Sequence, residues 1–160
     1  MALAEEKYRN LMNSVHLNDL TMFKKELAKT IEETEDDCLK NCFYVKTKDH
    51  LMHVIAQLGR SEFMIEIIQR CPDMKILEIC NSDGKTPLHE AAQFSKVDIV
   101  RILLQQNVKI DPIKRADWTP LMLACTKVGP ESQSIVQMLL NHSADFNLQN
   151  KVTMLNSALQ

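Results

Sequence analysis

The chain is poor in backbone breakers, with only three glycines and five prolines among 160 residues, so helix should dominate and long irregular segments should be few. It has no excess of either charge. A formal net charge of −2 creates no global field that would draw the molecule to nucleic acid or to an acidic membrane surface, so any basic recognition would have to be local. No apolar run approaches the roughly 18 residues of a membrane span. The opening MALAEEKYRN also lacks the positive and apolar stretches of a signal peptide, so the expected compartment is cytosol or nucleus. Five cysteines, Cys38, Cys42, Cys71, Cys80 and Cys125, form an odd set without C-x-x-C spacing. Reduced, mostly buried thiols are the expectation, with Cys125 taking the place of an alanine on a packed helix face. A metal or redox site at Cys38 and Cys42 would need further convergent ligands that the spacing does not offer. Phosphate-binding glycine loops, dinucleotide fingerprints, H-E-x-x-H helices and nucleophile–base pairs at recognisable spacing are all missing, so nothing supports an enzyme or a cofactor.

What the chain does have is a period. Asn81 to Lys114 contains a turn at Ser82, Asp83 and Gly84, a helix entry at Thr86, Pro87 and Leu88, and a small-residue face at Ala91 and Ala92. A second apolar helix follows, carrying Val97, Val100, Leu103 and Leu104. Thr86, Pro87 and Leu88 recur as Thr119, Pro120 and Leu121, 33 residues later. Threonine followed by proline predicts an N-cap and first helical position, because the hydroxyl can accept an orphan backbone NH while proline lacks only an NH that had no partner. Gly84 suits a turn position of positive φ, and Asp117 stands in its place in the next unit.

Flanking units are weaker. Residues 48–80 form a degenerate copy in which His53 and Ala56 match His89 and Ala92 at an offset of 36, the extra residues falling in CPDMKILEIC. The unit 115–149 has three more residues than 81–114 between its two helices, and Gly129 with Pro130 in KVGPES reads as an inserted turn. Residues 150–160 start another first helix and stop, so the chain reads as a fragment, a short isoform or a chain whose end packs on something else. Residues 4–30 read as two short amphipathic helices with a polar outer face, suited to capping an array, with Asn18 or Asp19 as the cap of the second. The acidic run Glu32, Glu33, Glu35, Asp36 and Asp37 reads as a solvated loop or, alternatively, as a docking face for a basic partner.

His89 beside Glu90 is not an acid/base pair, because adjacent helix residues do not face one another. Its expected role is to hydrogen-bond Thr86 and nearby backbone, and His53 inherits that reading. In such a stacked array the positions free of packing lie at the turn tips and on the exposed side of each first helix. The partner-binding candidates are therefore Asp83, Lys85, Glu90 and Phe94 in one unit and Lys114, Arg115, Asp117, Trp118 and Lys127 in the next. Trp118, the single tryptophan, sits in the variable slot before Thr119 and is flanked by Arg115 and Lys114, the makeup of an interface hot spot; covering the stem of its turn is the plainer alternative. Lys109, Lys114, Arg115 and Lys127 could form a basic patch, but without interleaved aromatics direct nucleic-acid binding is not expected.

NSDGKTPLHEAAQFSKVDIVRILL resembles an ankyrin repeat, specifically over 81–147 and more weakly over 48–80 and 148–160. The resemblance implies an all-α solenoid of stacked helix pairs joined by short β-hairpin-like turns, binding other proteins along its concave side, with no shared catalytic residue or cofactor. KRADWTPLMLACTK and KTPLHEAA, with the helix pair at the start, are similar to a family member that partners alanyl-tRNA synthetase in translational fidelity. That likeness implies a comparable partner, and with it the possibility of lysines that accept activated acyl groups. The unfinished C-terminal face suggests a rival mode, in which the chain associates through that face with a larger assembly or with itself.

Overall fold

A computed structural model describes residues 2–33, 39, 49–71, 73–114 and 117–149. Eight α-helices occur among them: α1 (Ala2–Leu17), α2 (Leu20–Glu33), α3 (Leu51–Leu58), α4 (Ser61–Arg70), α5 (Pro87–Gln93), α6 (Val97–Gln105), α7 (Pro120–Cys125) and α8 (Pro130–Asn141). Successive helices pair, and the pairs stack in two layers. In one layer α1 packs on α3, α3 on α5 and α5 on α7; in the other α2 packs on α4, α4 on α6 and α6 on α8. Much of the core lies between the layers, with Leu51, Ile55, Leu88, Ala91, Ile99, Leu103, Ile135 and Leu139 almost or wholly excluded from solvent. Ala91 and Ala92 have no exposed surface, the close approach expected of small residues.

The first pair is tied into the same core. Asp19 caps α2, accepting from Met22 N at 2.8 Å. The Phe23 ring meets Phe63 of α4 at 4.8 Å between centroids and a 56° tilt, a favourable tilted arrangement. Glu66 on α4 is buried but pairs with Lys24 at 3.2 Å and with Arg70. Burial alone would raise that carboxyl; its two cationic neighbours hold it below the ordinary value.

Successive units are also linked by polar contacts about one repeat apart. Ring Nε2–H of His53 donates to Lys85 O at 2.8 Å, and that of His89 to Trp118 O at 3.1 Å. On the same rings Nδ1 accepts from His50 N and from Thr86 N, each at 3.1 Å. Each histidine thus closes its own helix entry and grips the next turn. His50 adds another such contact, accepting from Met52 N and donating to Leu39 O. Carboxylates do similar work on the opposite connections: Glu78 accepts from Lys109 N at 2.7 Å and Asp111 from Asp145 N at 2.9 Å.

The β-hairpin-like turns expected between units do not form. Among the described residues there is no strand: one backbone bond, Asn81 N to Lys85 O at 2.9 Å, joins the ends of the first turn, and one, Lys114 N to Trp118 O at 3.0 Å, joins those of the second. The reciprocal bond that would start a ladder is replaced within each turn: Asn81 O accepts from Gly84 N and Lys114 O from Asp117 N, each at 3.0 Å, Lys85 N goes to Asn81 Oδ1, and one closing bond does not make a ladder. The turns themselves take the anticipated shape, with Gly84 at φ 73° and Asp117 at φ 60°.

Three further expectations change in detail. Pro130 opens α8 directly after Gly129, whose φ is 137°. The additional residues therefore lengthen the second helix to 12 residues, against 9 in α6, and do not form the inserted turn expected of KVGPES. The extra residues after α4 include a short 3-10 turn (Met74–Glu78) that buries Ile76 and Leu77. Among the described cysteines only Cys71 is buried, while Cys80 and Cys125 are exposed free thiols. Ala92 is enclosed in the stack, whereas its counterpart Cys125 borders an open cleft. Cys38, Cys42, Glu35, Asp36, Asp37 and the 150–160 tail lie outside the described residues.

Candidate protein-docking surface

The two turns and the helix starts below them bring several of the expected residues together. Thr86 and Thr119 adopt extended backbone at the entries of α5 and α7, with Pro87 and Pro120 in the first turn of each helix. At Thr119 the hydroxyl accepts from Met122 N at 3.3 Å. At Thr86 the hydroxyl instead contacts His89 Nδ1 at 3.0 Å, because the ring sits where Met122 stands in the following unit.

These entries hold the tips in fixed register. Asn81 Oδ1 accepts from both Asp83 N and Lys85 N at 3.0 Å, while its amide donates to Asp49 of the preceding unit at 2.6 Å. Lys85 Nζ pairs with Glu90 Oε1 at 3.0 Å, and both side chains are largely covered, 16% and 7% exposed. Lys114 Nζ lies 5.7 Å from the centre of the Trp118 ring, within cation–π range. Burial and the neighbouring Lys85 ammonium push the Lys114 amine below the ordinary lysine value, against the opposing influence of Asp83 and Glu90. Trp118 is half-buried: its backbone carbonyl is held from below by His89, and its side chain borders a cleft shared with Leu121, Met122, Cys125, Phe146 and Leu148.

Asp83, Lys85, Glu90, Lys114 and Trp118 therefore form one cluster, with Asp117 beside them in the second turn. Glu90 stands apart from the expectation of an exposed helix face. It is 5% exposed and serves chiefly to fix Lys85. Phe94, 40% exposed, and the exposed Lys127 sit beyond the far ends of α5 and α7, about 10 Å down the helix axes from the tips. Arg115 lies outside the described residues.

Sequence reasoning did not single out the cleft beside α7, of 320 Å³, or Phe146 at its edge, 75% exposed. A hydrophobic residue in the segment after α8 was the available signal. Burial pushes His89 and His50 down to about 4 and lowers His53 as well. All three remain neutral near pH 7 and act as structural groups, each bonded to backbone of a neighbouring segment. Among the described residues no group of three or more histidine, cysteine or acidic side chains could hold a metal ion, and no helix is long and apolar enough to cross a membrane.

A family model described as "Ankyrin repeats (3 copies)" matches residues 51–150. The chain is 33% identical over 98 residues to an ankyrin repeat-containing protein of Schizosaccharomyces pombe, a match covering 56% of this chain and 41% of that protein. It is 30% identical over 93 residues to ankyrin repeat protein nuc-2 of Neurospora crassa, covering 58% and 8% respectively. A shorter match, 40% over 67 residues, joins it to the ankyrin repeat, SAM and basic leucine zipper domain-containing protein 1 of Equus caballus, covering 41% of this chain and 14% of the relative. The chain thus spans less than half the length of these curated relatives. Ankyrin-repeat domains are non-enzymatic, protein-binding scaffolds, and the stacked helix pairs, the T-P-L-H entry and the repeat spacing have one common explanation: this chain belongs to the ankyrin repeat family.

Proposed function

We propose that the chain docks another protein on the surface formed by its turn tips and the outer side of α5 and α7, with Trp118 as the anchor. The observation that carries this reading is the packing of Lys114 against the Trp118 ring on a turn held from below by His89. A half-exposed aromatic on a rigid support loses little freedom on binding and offers a large contact area. Asp83, Lys85 and Asp117 are assigned to the rim, Glu90 to the support of Lys85, and Phe94 and Lys127 to an outlying second contact. The setting proposed is cytosolic or nuclear.

The direct test is capture of binding proteins from a native extract, identified by mass, with wild-type chain and Trp118→Ala side by side. Loss of the same captured protein in the variant, with unchanged melting, supports the tip surface. A second reading is favoured by the apolar cleft at Met122, Phe146 and Leu148: a structural or regulatory subunit that associates through its C-terminal side, including with a second copy. Phe146→Ser would then abolish association while Trp118→Ala leaves it intact, and a monomeric mass at high concentration would dispose of self-association. A narrower version makes the partner alanyl-tRNA synthetase, from the likeness of 85–92 and 114–127 to ankyrin repeat domain-containing protein 16. It has no support from the relatives named above, and absence of the synthetase from the captured material would remove it.

A further inference from the structure

We propose that Lys114 and Trp118 together receive one acidic side chain of the docking partner, so that the recognised segment carries a carboxylate next to an apolar residue. This rests on the tip surface proposed above and adds the partner's chemistry to it.

Lys114 occupies the slot that Asn81 fills one unit earlier. There Asn81 closes its own turn by accepting two backbone NH groups and reaches back to Asp49. Lysine has no acceptor, so Lys114 cannot serve its turn in this way. Its ammonium is instead held over the indole and near Lys85, whose own charge is already committed to Glu90. Among the described residues Lys114 has no ion pair. A partly buried ammonium, close to a like charge and lacking a carboxylate in contact, gains more from an incoming anion than a solvated surface lysine does.

The flanking groups limit how much negative charge the site accepts. Asp83 and Asp117 border the turns, and Asp145 lies at the edge of the neighbouring cleft, so a run of acids would meet repulsion where a single carboxylate would not. Beside the indole, Leu121, Met122 and Phe146 supply apolar wall for the residue adjoining that carboxylate.

A displayed library of random 12-residue peptides, selected on the whole chain at low salt, tests this. Selected sequences should be enriched in Glu or Asp adjacent to Leu, Met or Phe. Affinity of those peptides should fall about tenfold in Lys114→Gln, equivalent to about 1.4 kcal/mol, be largely retained in Lys114→Arg, and weaken with added salt. Melting of each variant, read by circular dichroism, separates lost binding from lost folding. Binders without acidic enrichment, or acidic binders that hold Lys114→Gln as well as wild type, would overturn the inference. If those binders nevertheless fail on Trp118→Ala, the tip surface stands and only the acidic preference falls. Binders indifferent to Trp118→Ala, or no binders at all, count against both.

Discussion

Lowering the pH from 7.5 to 5.5 should weaken the fold through its buried histidines. His50 and His89 are held at about 4, against 6.5 for the free side chain. Burial disfavours the charged ring, and each Nδ1 already accepts a backbone NH, so a proton added there would have to break the helix entry. The unfolded chain therefore binds more protons than the native one below pH 6.5. Stability is unaffected well above 6.5, falls between 6.5 and about 4, and levels off below that for these two groups. At pH 5.5 each ring costs about 1.4 kcal/mol relative to pH 7.5, roughly 3 kcal/mol for the two, and His53 acts in the same direction. This is a large share of the 5–15 kcal/mol typical of a domain. Urea unfolding followed by far-ultraviolet circular dichroism at pH 7.5, 6.5 and 5.5 measures it. His89→Gln should be less stable at pH 7.5, having lost its reach to Trp118 O, yet its drop between the two pH values should shrink by about 1.4 kcal/mol. An unchanged pH slope in His89→Gln, or a wild-type stability flat over this range, would refute the reasoning.

Other expectations follow from single sites. Thr119→Ala removes the hydroxyl that accepts from Met122 N and should cost about 1 kcal/mol, read from the urea midpoint. Leu103→Ala empties a position with no exposed surface, and a loss of about 2–5 kcal/mol is expected by the same measurement. Gly59→Ala must hold φ near 72° with its new methyl 2.9 Å from Lys96 Cδ; about 1 kcal/mol or more of destabilisation should appear as a lower Tm.

Much of the scaffold was legible because its determinants are local. The offset between Thr86 and Thr119, the alanine pair and the leucines of α6 each encode a helix start or a buried face within a few residues. The histidine contacts with Thr86 were legible for the same reason. What escaped reading depends on neighbours across the stack. The shape of 81–85 depends in part on such a neighbour, because Asn81, which takes up Lys85 N, is itself held by Asp49 of the preceding unit. Glu90 looked like a surface residue until its pairing with Lys85 was visible, and Cys125 looked buried by analogy with Ala92. Pro130 was read as a breaker, although proline is well tolerated in the first turn of a helix, and α8 uses it there.

The forward grip of one unit on the next uses an imidazole at 53 and again at 89, but Met122 in the third place has no ring nitrogen with which to repeat it. Cohesion is therefore uneven along the stack. α3 and α5 each hold the unit that follows through such a ring, and α7 has none to offer, so α7 and α8 should exchange their amide hydrogens sooner than α3–α6. The α7–α8 wall of the cleft is then the part most able to adjust its shape to a newcomer, while the Trp118 turn stays fixed by His89.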